Sequence, residues 1–452
     1  MRKERVTVVL IACLLLTSLL ALSAPVLTIY SQGIACVQDN VILSLTNGMN
    51  DVHLSVPANI IPESVLIRVE GTIISQSFDY TSAADLTAAA IGKKVEVMTS
   101  NGVYRGTLLS YETDAVTILD SSGMIRTIAQ PQQVSLGNRD SFSLDPALML
   151  KMQSDKAGDI PATLSYLTRN VSWQGSYVCV LDDDRSTLSL LSQVTLRNQC
   201  GLDFPDATIR FVAGDVNQVA PKYYDTVRAA PAPMAMEMGA SEQSAFEYHL
   251  YTLTGTIDLL NGDALIVPYA KASAVGVEKT YLYDGANGSG VQVQISFDNS
   301  VKNGLGIPLP AGTVRLFGSA DGALLFLGED AIDHTAKDET VNLTVGSSFD
   351  LVGERTQVSR EKIASSTYRE TYRITLRNHK DEDVSIDVRE HLNGTWKILN
   401  AGVSYKKKNG GMVTFVTIKQ PYEEVDSNTI EFVVNVPANG KSEVEYTVEY
   451  NY

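Results

Sequence analysis

The chain has 452 residues, with 36 Lys plus Arg against 52 Asp plus Glu and a net charge of −16. Such acidity speaks against nucleic acid and anionic lipid surfaces as partners, because both require a clustered basic face. A hydrophobic content of 44% excludes global disorder, and the length accommodates several domains, each with its own core.

Met1-Arg2-Lys3-Glu4-Arg5 precedes nineteen uncharged, mostly apolar residues, Val6 to Ala24. A basic stub before an apolar tract is what export machinery reads, so residues 1–23 are expected to be a signal peptide, with Ala21 and Ser23 as the small residues before the cut. The other reading is a retained N-terminal anchor, since the tract is nearly long enough to span a bilayer. Under both, the body is exported to the periplasm, the cell surface or the medium, and only the retained segment would touch a membrane. Beyond the leader only Cys36, Cys179 and Cys200 remain, too few for a disulfide framework and without metal-binding spacing.

Next in chain order comes an all-β pattern of antiparallel β-sandwich type. Val41–Leu45 alternates with period two, and Asn47-Gly48 reads as a hairpin turn into Val52–Val56. Residues 24–81 and 138–219 are expected to form one N-terminal β domain, interrupted by an insert at 82–137. In the insert, Ser82-Ala83-Ala84-Asp85 reads as the cap of a short helix to Ala90, followed by strands near Lys94–Thr99, Tyr104–Tyr111, Ala115–Leu119 and Met124–Ile128. Asp182-Asp183-Asp184-Arg185 reads as a solvated hairpin turn that places Cys179 in an apolar strand. From 220 to 245 periodicity collapses into Ala-, Pro- and Met-rich sequence, expected to be a flexible linker. Strand patterning resumes in a central β region (246–345) and a C-terminal β-sandwich (346–452), where Asn439-Gly440 signals another two-residue hairpin.

Two stretches carry resemblances. Ile91-Gly92-Lys93-Lys94-Val95-Glu96-Val97 with Tyr104-Arg105-Gly106-Thr107-Leu108 resembles the Sm/SH3-like small barrels. Relatives with that barrel often bind RNA, but here Lys93, Lys94, Arg105 and Arg126 are balanced by Glu96, Glu112, Asp114 and Asp120, so a structural insert is expected. Further on, Ala213–Asn217, Glu247–Tyr251, Asn303–Gly312, Gly328-Glu329-Asp330, Ile332–Thr335, Val352–Arg355 and Leu376–Lys380 occur in order over 146–452. They resemble the family of domain of unknown function 4139, relatives of the mucoidy inhibitor A proteins. The resemblance implies an all-β exported protein and assigns no activity to particular residues; the long coiled coil of some relatives is missing here.

The densest polar cluster runs from Glu329 to Glu339 and holds Asp333 and His334, candidates for an acid/base pair or a hard-metal site. Adjacent strand residues face opposite ways, so the two share a site only at a turn or bulge. The competing reading is a polar connection with a buried His bonded to backbone. Asn170, Asn287, Asn342 and Asn393 begin Asn-x-Ser/Thr sequons and are glycosylation candidates if the producing cell glycosylates exported proteins. No cofactor motif is present. The expectation is a non-enzymatic exported β-rich scaffold of the envelope or surface, whose partner is an envelope or surface protein or glycan. The alternative is a carboxylate-dependent hydrolase or carbohydrate-active enzyme, which converging carboxylates or a His–carboxylate pair would favour.

Overall fold

The computed structural model describes residues 24–214, 216, 240–245, 248–409 and 412–451. The expected leader and most of the expected linker lie outside the described residues. Among the described residues no helix is long and apolar enough to cross a membrane. The chain is all-β, and its described strands form five sheets.

The first sheet contains Val26–Tyr30, Ile34–Leu45, Ile60–Arg68, Gly158–Arg169, Phe204–Ala213 and Tyr248–Leu253. Period two is visible in Val26–Tyr30, where Leu27 and Ile29 are buried and their neighbours are partly exposed. A smaller sheet of Gly48–Ser55, Ala147–Ser154 and Thr72–Asp79 adds Leu148 and Leu150 to the same core. Within it Asp79 lies opposite Ala147, so the two ends of the chain between them are brought together. That intervening stretch builds its own five-stranded sheet from Lys94–Thr99 to Gln133–Ser135, over a separate core that includes Val97, Leu108, Val116 and Ile118.

A fourth sheet runs Ala264–Gly276, Thr187–Asn198, Val171–Leu181, Gly312–Ala320, Ala323–Ile332. The fifth has ten strands. Strands far apart in its order, Val384–His391 and Thr429–Val436 against Thr367–Asn378 and Gly440–Asn451, share one core around Ile374, Ile386, Phe432 and Tyr446. The sheet therefore folds over on itself as a sandwich.

Several expectations are corrected. The Asn47-Gly48 and Asn439-Gly440 turns are not hairpins: Ile34–Leu45 and Gly48–Ser55 belong to different sheets, and Gly440–Asn451 pairs with Thr367–Asn378 and Thr395–Asn409, not with Thr429–Val436. The second turn crosses between layers and is fastened elsewhere, with Asn439 N–H donating to the Lys380 carbonyl and Asn378 Nδ2 donating to the Val436 and Pro437 carbonyls. Ala240–Ala245, assigned to the linker, pair in register with Tyr248–Leu253, because a waiting strand edge outweighs weak local propensity. The boundary at 345/346 falls inside one continuous strand, Thr340–Lys362. Val171–Leu181 and Thr187–Asn198, expected in the N-terminal domain, pair with Gly312–Ala320 and Ala264–Gly276. Three of the five sheets are mixed, each with one parallel pair among the described strands: Val26–Tyr30 with Phe204–Ala213, Val171–Leu181 with Gly312–Ala320, and Glu278–Asp284 with Val384–His391. The other two are antiparallel throughout. The insert's helix starts at Asp85 without a side-chain cap, because Ser82 Oγ donates to the Asp85 carboxylate 2.5 Å away.

Candidate functional site

Asp333 and His334 sit in the connection between Ala323–Ile332 and Thr340–Lys362. Both are exposed, which corrects the expectation of a buried His. The connection crosses the outer surface, and His334 is held there because its Nδ1 accepts the Ala311 N–H at 3.2 Å. Asp333 turns its carbonyl to the Thr335 hydroxyl at 2.9 Å and does not line the cavity that His334 walls. Among the described residues no group of three or more His, Cys, Asp or Glu is placed to hold a metal ion.

That cavity, about 320 Å³, is lined by Ser31, Ser172, Trp173, Gln174, Gly175, Thr195, Arg197, Ala311 and His334. Its floor is the hairpin of Val171–Leu181 and Thr187–Asn198, in which Ser172 lies opposite Arg197 and Gln174 opposite Thr195. Period two sends Trp173 to the other face, where its ring stands 5.1 Å from Phe211 in the core. The wall is pinned by tyrosines: Tyr251 donates to the Pro308 carbonyl at 2.8 Å, and Tyr177 to that of Pro310 at 2.5 Å. Gly175 and Gly312 pass so closely that a Cβ on Gly312 would sit 2.4 Å from the Gly175 carbonyl oxygen. Cys179, farther along the same strand, is a free buried thiol that burial pushes up to about 12, consistent with a packing role.

A second constellation lies in the sandwich and was not singled out from the sequence. Glu390 is 1% exposed, yet it accepts from Arg355 Nε at 2.9 and 3.1 Å and from the Tyr446 hydroxyl. The Arg355 guanidinium stacks 3.8 Å over the Tyr372 ring, whose hydroxyl donates to Glu370 at 2.5 Å. Arg360 Nε approaches the other Glu370 oxygen at 3.0 Å. Burial raises the Glu390 carboxyl, against the opposing pull of Arg355 and Tyr446. Burial also acts to lower Arg355, but the charge of Glu390 with Tyr446 reverses this and holds the guanidinium protonated. The pair is thus a carboxyl at the cost of desolvation beside an arginine that reaches solvent. Next to it, Asp284 Oδ2 lies 3.0 Å from His391 Nε2, and Asp284 is fixed by the Ala286 N–H and Asn287 Nδ2 at 3.0 Å each. The sequence did carry a signal: Glu370 and Glu390 occupy the inward phase of strands otherwise filled by Ile374 and Leu376, or Ile386 and Val388. A charge in that phase marks a buried ion pair.

A family model describing a domain of unknown function (DUF4139) matches residues 162–452. The chain belongs to the DUF4139 family. No curated protein matches. The match starts after the 82–137 insert. Within the DUF4139 region the residues that carried the resemblance hold the fold. Gly353 accommodates the buried Tyr283 ring, which a Cβ there would meet at 2.1 Å. Asp330 accepts the Thr344 N–H at 2.7 Å beside Gly328, where any side chain would strike the Val345 carbonyl. Lys380 donates to the Tyr281 hydroxyl at 2.6 Å. The turn after Asn299 is closed by that buried amide, which donates to the Ile307 and Ala336 carbonyls and accepts the Gly306 N–H. The sequon residues Asn170, Asn287, Asn342 and Asn393 are all exposed.

Proposed function

We propose that this DUF4139 protein is an exported, non-enzymatic β-rich scaffold of the cell envelope or surface. In this reading the 82–137 insert is an Sm/SH3-like small barrel carried on the N-terminal part, and the partner is an envelope or surface protein or glycan. One observation carries the scaffold half: the two deeply buried carboxylates, Glu370 and Glu390, each have both oxygens engaged by an arginine and a tyrosine. A general acid or base needs an oxygen within reach of substrate, and these are committed to protein groups. The basic stub and apolar tract at the N-terminus support export. Cross-linking on intact cells, followed by fractionation and N-terminal sequencing, tests both halves. The expected result is a protein starting near Ala24, outside the inner membrane, joined to an envelope protein or glycan. Intact Met1 in a cytosolic fraction overturns it.

The Asp284–His391 pair favours a second reading, the hydrolase. If glycan or ester hydrolysis is found and is lost in H391Q and D284N, the scaffold reading gives way to it.

A further inference from the structure

We propose that the cavity on the Val171–Leu181/Thr187–Asn198 hairpin binds a small hydroxylated carboxylate of the sugar-acid class. The inference does not rest on the scaffold reading, because the lining alone supplies its chemistry. Arg197 is the one permanently charged residue of the lining, which holds no Asp or Glu. Many arginines of this acidic chain find carboxylates, among them Arg315, Arg355, Arg360, Arg373, Arg377 and Arg389, each with one within 3.1 Å. Arg68, Arg169, Arg185 and Arg210 have no ion pair among the described residues, but they do not line this cavity. Arg197 has no ion pair among the described residues. An exposed guanidinium facing a concave, acid-free surface offers a fork of donors shaped for a carboxylate.

The remaining lining specifies what surrounds that carboxylate. Register places Ser172 across from Arg197, and Gln174 across from Thr195, so four polar side chains share one face at cross-strand spacing. Two hydroxyls and an amide extend the polar surface away from the guanidinium, a pattern that answers ring hydroxyls and is surplus for a bare oxyanion. On the opposite wall stands His334, held in place because its Nδ1 accepts the Ala311 N–H. At about 320 Å³ the space is at the small end of ligand sites, on the scale of a single sugar unit.

The chain contains two tryptophans, Trp173 and Trp396, so in a W396F background the fluorescence reports from Trp173, on the strand that floors the cavity. Full-length W396F protein is titrated with glucuronate, glucose and inorganic phosphate, with saturation-transfer NMR as a second readout that does not depend on Trp173. Glucuronate is expected to bind saturably, and glucose and phosphate each at least tenfold more weakly. R197Q should lose about tenfold to a hundredfold in glucuronate affinity, the range for a hydrogen-bonded charge. R197K should fall between R197Q and the parent, since the charge remains but the fork is lost. Thermal transitions of both variants should match the parent, because Arg197 is exposed. The proposal is overturned by silence in both readouts. Equal affinity for glucose or for phosphate overturns it too, as does an R197Q or R197K variant that folds and binds like the parent.

Discussion

Two polar constellations sit a sheet apart and obey opposite rules. In the sandwich, Glu390, Arg355, Tyr446, Tyr372 and Glu370 satisfy one another inside a packed wall. At the hairpin cavity, Arg197, Ser172, Gln174 and Thr195 line open space beside an otherwise tyrosine-pinned loop. The contrast teaches which polar residues to read as structure. A charge with every oxygen taken has its desolvation offset by its neighbours and cannot turn to a ligand. A charge at a concave surface without a protein counter-ion keeps its interaction energy for something outside the chain.

The sharpest way to break the closed constellation is to remove one member. Glu390→Ala leaves Arg355 and the Tyr446 hydroxyl without their buried acceptor and should lower stability by about 3–5 kcal/mol, read as a shift in urea midpoint at unchanged slope. A loss no larger than that of a surface substitution would show that the pair is not what holds the wall. Gly353→Ala attacks the same wall through shape: its Cβ would meet Tyr283, itself 1% exposed, and overpacking should cost about 1–3 kcal/mol.

A titration separates the constellations further. Burial raises the Glu390 carboxyl above its ordinary value of 4.5, so between that value and the raised one the folded chain binds more protons than the unfolded chain. The contribution of this group to stability is therefore complete below pH about 4.5 and is lost as pH rises through the folded pKa. Glu390→Gln should flatten that part of the stability curve, whereas Arg197→Gln should leave it as it is. The smallest effect is expected at the exposed Arg377–Glu354 pair on the sandwich surface, 3.0 Å apart. Arg377→Gln should cost less than about 1 kcal/mol and fade with salt. A larger loss there would erase the distinction between wall and surface.

Element by element, legibility tracked how local the deciding interaction is. Lys94–Thr99 is legible at its observed ends, because alternation against one buried face is written in consecutive residues. Turn chemistry was read as far as it goes. Asp182–Arg185 does close a hairpin, with Leu181 opposite Leu188. Asn47-Gly48 and Asn439-Gly440 have the same local signal, yet each hands the chain to a different layer. His334 was legible as a polar residue in a connection, but its place on a cavity wall depended on Arg197, 137 positions earlier in the chain by the numbering.

The sequence by itself determined the all-β class, the strand phases, the family and the location of most turns, since each rests on residue type and short spacing. Tertiary structure decided the three parallel pairings, the strand that runs through the expected boundary at 345/346, and which polar residues meet. Parallel neighbours such as Glu278–Asp284 and Val384–His391 lie about a hundred residues apart and place Asp284 beside His391. No periodicity within either strand encodes that meeting. It follows from which apolar faces could be buried together, and burial is a property of the whole packed chain.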